Sequence, residues 1–87
     1  MSTVRVASPL RMYTQGAGTV QARGVTVAEI LGDLEQRFPG MRFRMIDEQG
    51  RIREHIRIFV NTAEARELST PVTARDEVHL ICALSGG

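Results

Sequence analysis

Thr26-Val27-Ala28-Glu29-Ile30-Leu31-Gly32-Asp33-Leu34-Glu35-Gln36-Arg37-Phe38-Pro39-Gly40 decides how this chain folds. Thr26 followed three residues later by Glu29 is a capping box: the Thr hydroxyl accepts from the N3 amide while Glu29 reaches back to the helix start. Val27, Ile30, Leu31, Leu34 and Phe38 then recur at helical spacing, so one stripe is apolar. Asp33, Glu35, Gln36 and Arg37 occupy the other sides. Pro39-Gly40 is a stop signal. Gly32 costs about 1 kcal/mol relative to Ala inside a helix, a cost easily accepted if something packs closely against it.

One amphipathic helix needs a surface to cover, and the flanking sequence supplies strands. Upstream, Val4 and Val6 alternate with Arg5, and Thr19–Ala22 forms a second short extended run. Ser8-Pro9 ends the first run, Leu10 and Tyr13 offer apolar anchors, and Gln15-Gly16-Ala17-Gly18 is a flexible turn, so the two runs predict a hairpin. Downstream, Met41–Ile46 is open between a short helical turn and an irregular segment, and 47–51 is a turn by composition. Arg53–Val60, with Ile56, Ile58 and Val60 alternating, is a third strand, and 61–64 is a turn. Val78–Leu84 is the last strand. The order β-β-α-β-β, in 87 residues, predicts an α+β roll with the helix across one face of a mixed sheet and the first and last strands adjacent. Residues 1–84 form the domain and 85–87 a flexible tail.

Composition excludes several classes. Apolar residues are 43% and charged residues 24% of the chain, which is globular rather than disordered composition. A net charge of +1 is too balanced for binding nucleic acid chiefly through phosphates. Cys82 is the sole cysteine, so there is no disulfide, and with the distant His55 and His79 it lacks metal-ligand spacing. No apolar run reaches membrane-spanning length, and Met1–Val6 lacks a signal-peptide layout; with a free thiol, that favours a cytoplasmic setting. All eleven basic residues are arginine. A G+C-rich coding bias is the favoured explanation over a functional one.

Individual side chains give little catalytic signal. On the last strand Cys82 shares a side with Val78, Leu80 and Leu84 and reads as a small core residue rather than a sulfur relay. His79, Ile81 and Ala83 lie on the opposite side, and no base–nucleophile–orienter set accompanies His79. Gly16-x-Gly18 lacks the third glycine and following helix of a nucleotide site. Arg51, Arg53 and Arg57, interspersed with Asp47, Glu48 and Glu54, read as a solvated face rather than an anion site.

The sequence ends in Ser85-Gly86-Gly87, directly after the last strand. A terminal glycine pair can be mere fraying; its position on a small β-β-α-β-β domain gives it another meaning. Pro9-Leu10-Arg11 through Tyr13-Thr14, the capped helix with Phe38-Pro39-Gly40-Met41, Asp47–Arg53 followed by Ile58-Phe59-Val60-Asn61, and Asp76-Glu77-Val78 before the last strand occur in that order ahead of Gly86-Gly87. In this the chain resembles the ubiquitin-like β-grasp sulfur carriers of the MoaD/ThiS family, and the longer members, including carriers serving cysteine synthesis, more than the short thiazole carriers. It departs from them at Asn61-Thr62-Ala63-Glu64 and Ala74-Arg75-Asp76-Glu77, both in turns.

The resemblance implies a β-grasp fold and a carrier that is not itself an enzyme. Gly87 would be adenylated by a ubiquitin-activating-type enzyme using ATP and converted to a thiocarboxylate that donates sulfur to a biosynthetic acceptor enzyme. Gly86 and Ser85 would form the tail. No cofactor or metal is bound, and neither nucleic acid nor membrane is a partner. His79, Ile81 and Ala83 would be the partner-docking face. The alternative is a ubiquitin-like interaction module, or a modifier conjugated through Gly87.

Overall fold

The helix begins where its capping chemistry places it. In the computed structural model, which describes residues 1–83, α1 spans Val27–Arg37, and the Thr26 side chain accepts from the Glu29 N–H at 3.2 Å. The Glu29 carboxylate reaches back one residue further than the expected box, accepting from the Val25 N–H at 3.1 Å. Gly24 makes room for this, since a Cβ there would lie 2.7 Å from both the Glu29 Cβ and the Ile30 nitrogen. The first free N–H groups of the helix find partners in the 68–72 segment: Val27 donates to the Thr70 carbonyl and Ala28 to that of Leu68.

Val27, Ile30, Leu31 and Leu34 are completely buried, as their spacing predicts; Phe38 closes the helix at its C-cap and is only half-buried. Gly32 departs from expectation, because nothing lies within 4 Å of where its Cβ would stand. Asp33 is on the solvent side yet holds two partners, accepting from the Arg23 N–H at 3.0 Å and pairing with Arg37 at 3.1 Å. These contacts, the Arg23 N–H foremost, hold its carboxyl below the usual carboxylate range.

Beyond Pro39 the chain turns at once through Gly40 (φ 94°) into a second helix, α2, at Met41–Met45. That settles the ambiguous segment: Met41 and Met45 are fully buried, and the Glu35 carboxylate ties the junction by accepting from the Gly40 and Arg42 N–H groups. Those two bonds keep the Glu35 carboxyl below its ordinary range.

The sheet carries one strand more than the sequence indicates. Strands β1 (Ser2–Val6), β2 (Thr19–Ala22), β3 (Ile56–Val60), β4 (Ala63–Glu64) and β5 (Glu77–Cys82) lie in the order β2-β1-β5-β3-β4. β1 and β2 form the expected antiparallel hairpin, but a 3-10 helix at Ser8–Thr14, anchored by buried Leu10, occupies part of the connection. β4 arises because Asn61 adopts a left-handed backbone (φ 56°), which lets a two-residue turn fold Ala63 and Glu64 back onto Val60 and Phe59. β3 starts at Ile56 rather than Arg53, and β5 ends at Cys82. β1 and β5 are neighbours and parallel, Val4 beside Val78 and Val6 beside Leu80, as a one-core domain requires. The mixed sheet with the main helix across one face is the predicted roll.

Candidate functional site

Strand β5 is central, bonded to β1 on one side and β3 on the other, so whatever follows it leaves the best-held part of the sheet. Its alternation sorts its side chains. Val78 and Leu80 are buried under the helix, and Cys82 is half-buried beside them, packed on the core as its parity predicts. His79 and Ile81 face outward, and Ala83, just past the strand, is exposed. The structure therefore places His79 and Ile81 on the outer side of β5 and Ala83 exposed just beyond its end. Ser85, Gly86 and Gly87 lie outside the described residues, as does Leu84.

The register defines what surrounds them. Ile81 sits opposite Arg57, and His79 lies between Phe59 on β3 and Arg5 on β1. Ile81 is 38% exposed, an apolar centre in a polar setting. One Glu77 oxygen lies 3.0 Å from His79 Nε2 on its own strand and the other 3.3 Å from the Arg5 guanidinium, so this carboxylate ties β5 to β1 across the face. Arg57 and Arg66 both approach Glu64 at 3.7 Å. The outer face is thus an apolar spot ringed by charges that already have partners, a surface suited to protein contact.

The base of β5 is fixed by polar contacts. Asp76 accepts from the Thr73 N–H at 2.8 Å and from the Asn61 amide at 2.9 Å, while Asn61 bonds the Glu77 backbone through both its main chain and its side chain. The Thr73 N–H, then Asn61, hold the Asp76 carboxyl below the ordinary carboxylate range. Asn61 thus both makes the turn to β4 and sets the start of β5, a role invisible in a stretch that reads simply as a turn. At the other end of β5 the Ala83 N–H donates to the His55 carbonyl at 2.7 Å.

The arginines read together from sequence separate in space. Arg57 belongs to the outer face, whereas Arg53 donates to the Phe43 carbonyl at 2.8 Å and stacks 4.7 Å from the centroid of that ring. Arg44 lies 3.1 Å from His55 Nε2. The signal for this grouping was Arg42-Phe43-Arg44, basic residues flanking an aromatic on a short helix. Among the described residues no three His, Cys, Asp or Glu side chains gather as a metal site, and no helix is long and apolar enough to cross a membrane.

A five-stranded mixed sheet grasping one main helix, with a sequence that runs from the central strand into Gly-Gly, is a ubiquitin-like β-grasp protein. The ThiS family profile matches residues 4–87, and the chain belongs to the ThiS family. It is 31% identical to the sulfur carrier protein CysO of Mycobacterium tuberculosis over 90 residues, covering 98% of this chain and 97% of that one. Among solved structures it is similar to the Amycolatopsis orientalis BexX/CysO complex, with a TM-score of 0.93 and 32% identity over all of both chains. Crystalline M. tuberculosis CysO gives 0.91 and 29% identity, covering 97% of this chain and 100% of that one. SAMP1 of Haloferax volcanii gives 0.79 and 27%, covering 99% and 98%.

Proposed function

We propose that this protein is a sulfur carrier that works through the carboxyl group of Gly87. The observation that carries this reading is similarity to CysO over the full length, in sequence and in three dimensions, together with the Gly86-Gly87 ending. A carboxylate is a poor electrophile. Attack by the Gly87 carboxylate on the α-phosphorus of ATP, with pyrophosphate leaving, makes a mixed anhydride with AMP. A sulfur nucleophile at the sulfide oxidation level then attacks the acyl carbon and expels AMP, leaving a thiocarboxylate that an acceptor enzyme can use. Glycine suits the position because no Cβ obstructs entry into a narrow site and its backbone reaches conformations closed to other residues.

The chain supplies the cosubstrate, and a ubiquitin-activating-type enzyme supplies the catalysis. Its own contribution is positional: His79, Ile81 and Ala83 form the docking face, and Ser85-Gly86 is the lead into the partner. The sulfur-for-oxygen mass increase at Gly87 after co-expression with the activating enzyme tests the reading. An unchanged mass in chain recovered from a working activation mixture would overturn it. A second reading, a protein modifier, draws on the similarity to SAMP1, a small archaeal modifier protein. It requires isopeptide conjugates through Gly87 in the same experiment.

A further inference from the structure

The exit of β5 is bordered on its β3 side by a cluster that the outer docking face does not include. The Ala83 N–H bonds the His55 carbonyl, and the His55 ring is 3.1 Å from the Arg44 guanidinium. Arg53, two residues before His55, is clamped by its hydrogen bond to the Phe43 carbonyl and its stack on the Phe43 ring. Phe43 is 60% exposed, although Met41 and Met45 on the same short helix are fully buried. The arginine ion pairs among the described residues involve Arg5, Arg37, Arg57 and Arg66; neither Arg44 nor Arg53 takes part. Seven of the eleven arginines make no ion pair among the described residues; what sets Arg44 and Arg53 apart is that one lies against a histidine ring and the other is clamped by an aromatic ring and a carbonyl, both beside the segment that bonds Ala83, with Asp47 the carboxylate that feels the charge of Arg53. Holding them this way lowers the side-chain entropy that binding must remove, and leaves guanidinium N–H groups for planar, bidentate recognition of carboxylates.

We propose that Arg44 and Arg53, with Phe43 between them, form a cationic collar at the root of the tail that docks on carboxylate side chains rimming the opening of the partner site that receives the tail. The position selects this occupant. Charges at the root meet the surface around the opening, whereas a nucleotide deep in the partner's site would meet only the far end of the tail. The proposal rests on the carrier reading for the identity of the partner, but the recognition chemistry can be tested apart from it.

The experiment titrates the full 87-residue chain, ¹⁵N-labelled, with an octaglutamate peptide and separately with ATP, following arginine Nε–H and backbone resonances. The expected result is that octaglutamate shifts Arg44, Arg53, Phe43 and Ala83 while Arg5, Arg37 and Arg66 stay still, and that ATP does less. The shifts should vanish at about 0.5 M salt, where the Debye length is ~4 Å. Arg44→Gln with Arg53→Gln should weaken the peptide about fivefold, the loss of two exposed charge contacts, while Arg44→Lys with Arg53→Lys retains part of it. Shifts spread over all arginines, a stronger response to ATP, or equal peptide binding by the Gln double variant would overturn the collar. Since Gly87 takes no part in this titration, a failed thiocarboxylate assay would leave its outcome standing, and the reverse holds.

Discussion

Replacing Gly32 by Ala should stabilise the domain, and the sign of the effect follows from the space around it. Gly32 lies inside α1 with a negative φ, and an added Cβ meets no heavy atom within 4 Å. Glycine in a helix interior costs about 0.8–1 kcal/mol relative to Ala, largely because the unfolded chain loses more freedom on folding. With no contact to offset it, Gly32→Ala should recover most of that amount. At about 2.1 cal/mol/K of unfolding entropy per residue, 87 residues give ~0.18 kcal/mol/K, so the melting temperature should rise by about 4–6 °C. Urea unfolding followed by far-ultraviolet circular dichroism is the assay; the midpoint should rise with an unchanged slope, which separates a gain in stability from a change in the surface exposed. A fall in the midpoint would mean that the helix face at Gly32 is packed against something, and the orientation of α1 on the sheet would then be wrong.

Ile81→Asp should leave stability within about 1 kcal/mol, since the new carboxylate would face Arg57 across the β3–β5 ladder, yet it should weaken binding to the activating enzyme. Unchanged activation kinetics with a folded variant would remove this face from the docking surface. Asp33, Glu35, Asp47 and Asp76 all have carboxyls held below the ordinary range, each chiefly by a main-chain N–H. The unfolded chain therefore takes up protons first, so stability should be complete above about pH 5 and fall as pH drops through about 4 and below. Urea midpoints at a series of pH values check this, and Asp76→Asn should make the acid-side decline shallower; a flat profile from pH 6 to 3 would contradict the bonding described. Deleting Gly87 should abolish thiocarboxylate formation, read by mass, with no change in melting temperature, and sulfur delivery by the shortened chain would end the carrier reading.

The parts of this fold legible in the sequence are those fixed by local chemistry and period. The capping box, the apolar stripe at residues 27, 30, 31 and 34, and the alternation in β1 and β5 each state their structure within one or two turns or strands. What was missed, or left open as at Met41–Ile46, depends on long-range contact. β4 exists because Asn61 takes a left-handed turn and then bonds the start of β5, sixteen residues ahead. α2 forms because Met41 and Met45 have a core to enter and Glu35 to cap the junction. Arg44 and Arg53 share a neighbourhood only because the 41–45 helix is folded back on the segment leading into β3, with the Arg53 N–H bonded to the Met45 carbonyl. The outward setting of His79 and Ile81 was readable because strand parity alone decides it, whereas Ala83, past the end of β5, is simply exposed.

The parallel pairing of β1 with β5 has a chemical consequence for the tail. It places the first residues of β1 beside Glu77, at the end of the sheet remote from Ala83. Four residues follow Ala83, and a fully extended chain of four spans at most ~14 Å, so on the carrier reading a partner would bring its reacting atoms within that distance of Ala83. On the proposed readings, a docking surface that uses both Ile81 with Ala83 and Arg44 with Arg53 would fix that distance better than either set alone, and an error of even about 1 Å at the reacting carbon can cost on the order of a hundredfold in rate. On that reading, nucleophiles of the chain itself would compete for the activated carboxyl. There is no lysine among its 87 residues, so no ε-amine of its own can intercept the acyl group or accept one from a second copy. Coding bias is a sufficient origin for that composition, but the effect does not depend on the origin: arginine keeps the charge needed for docking and, remaining protonated, does not attack an acyl-adenylate. On the carrier reading, this would remove isopeptide-linked chains of the protein on itself from competition with transfer of the acyl group to sulfur.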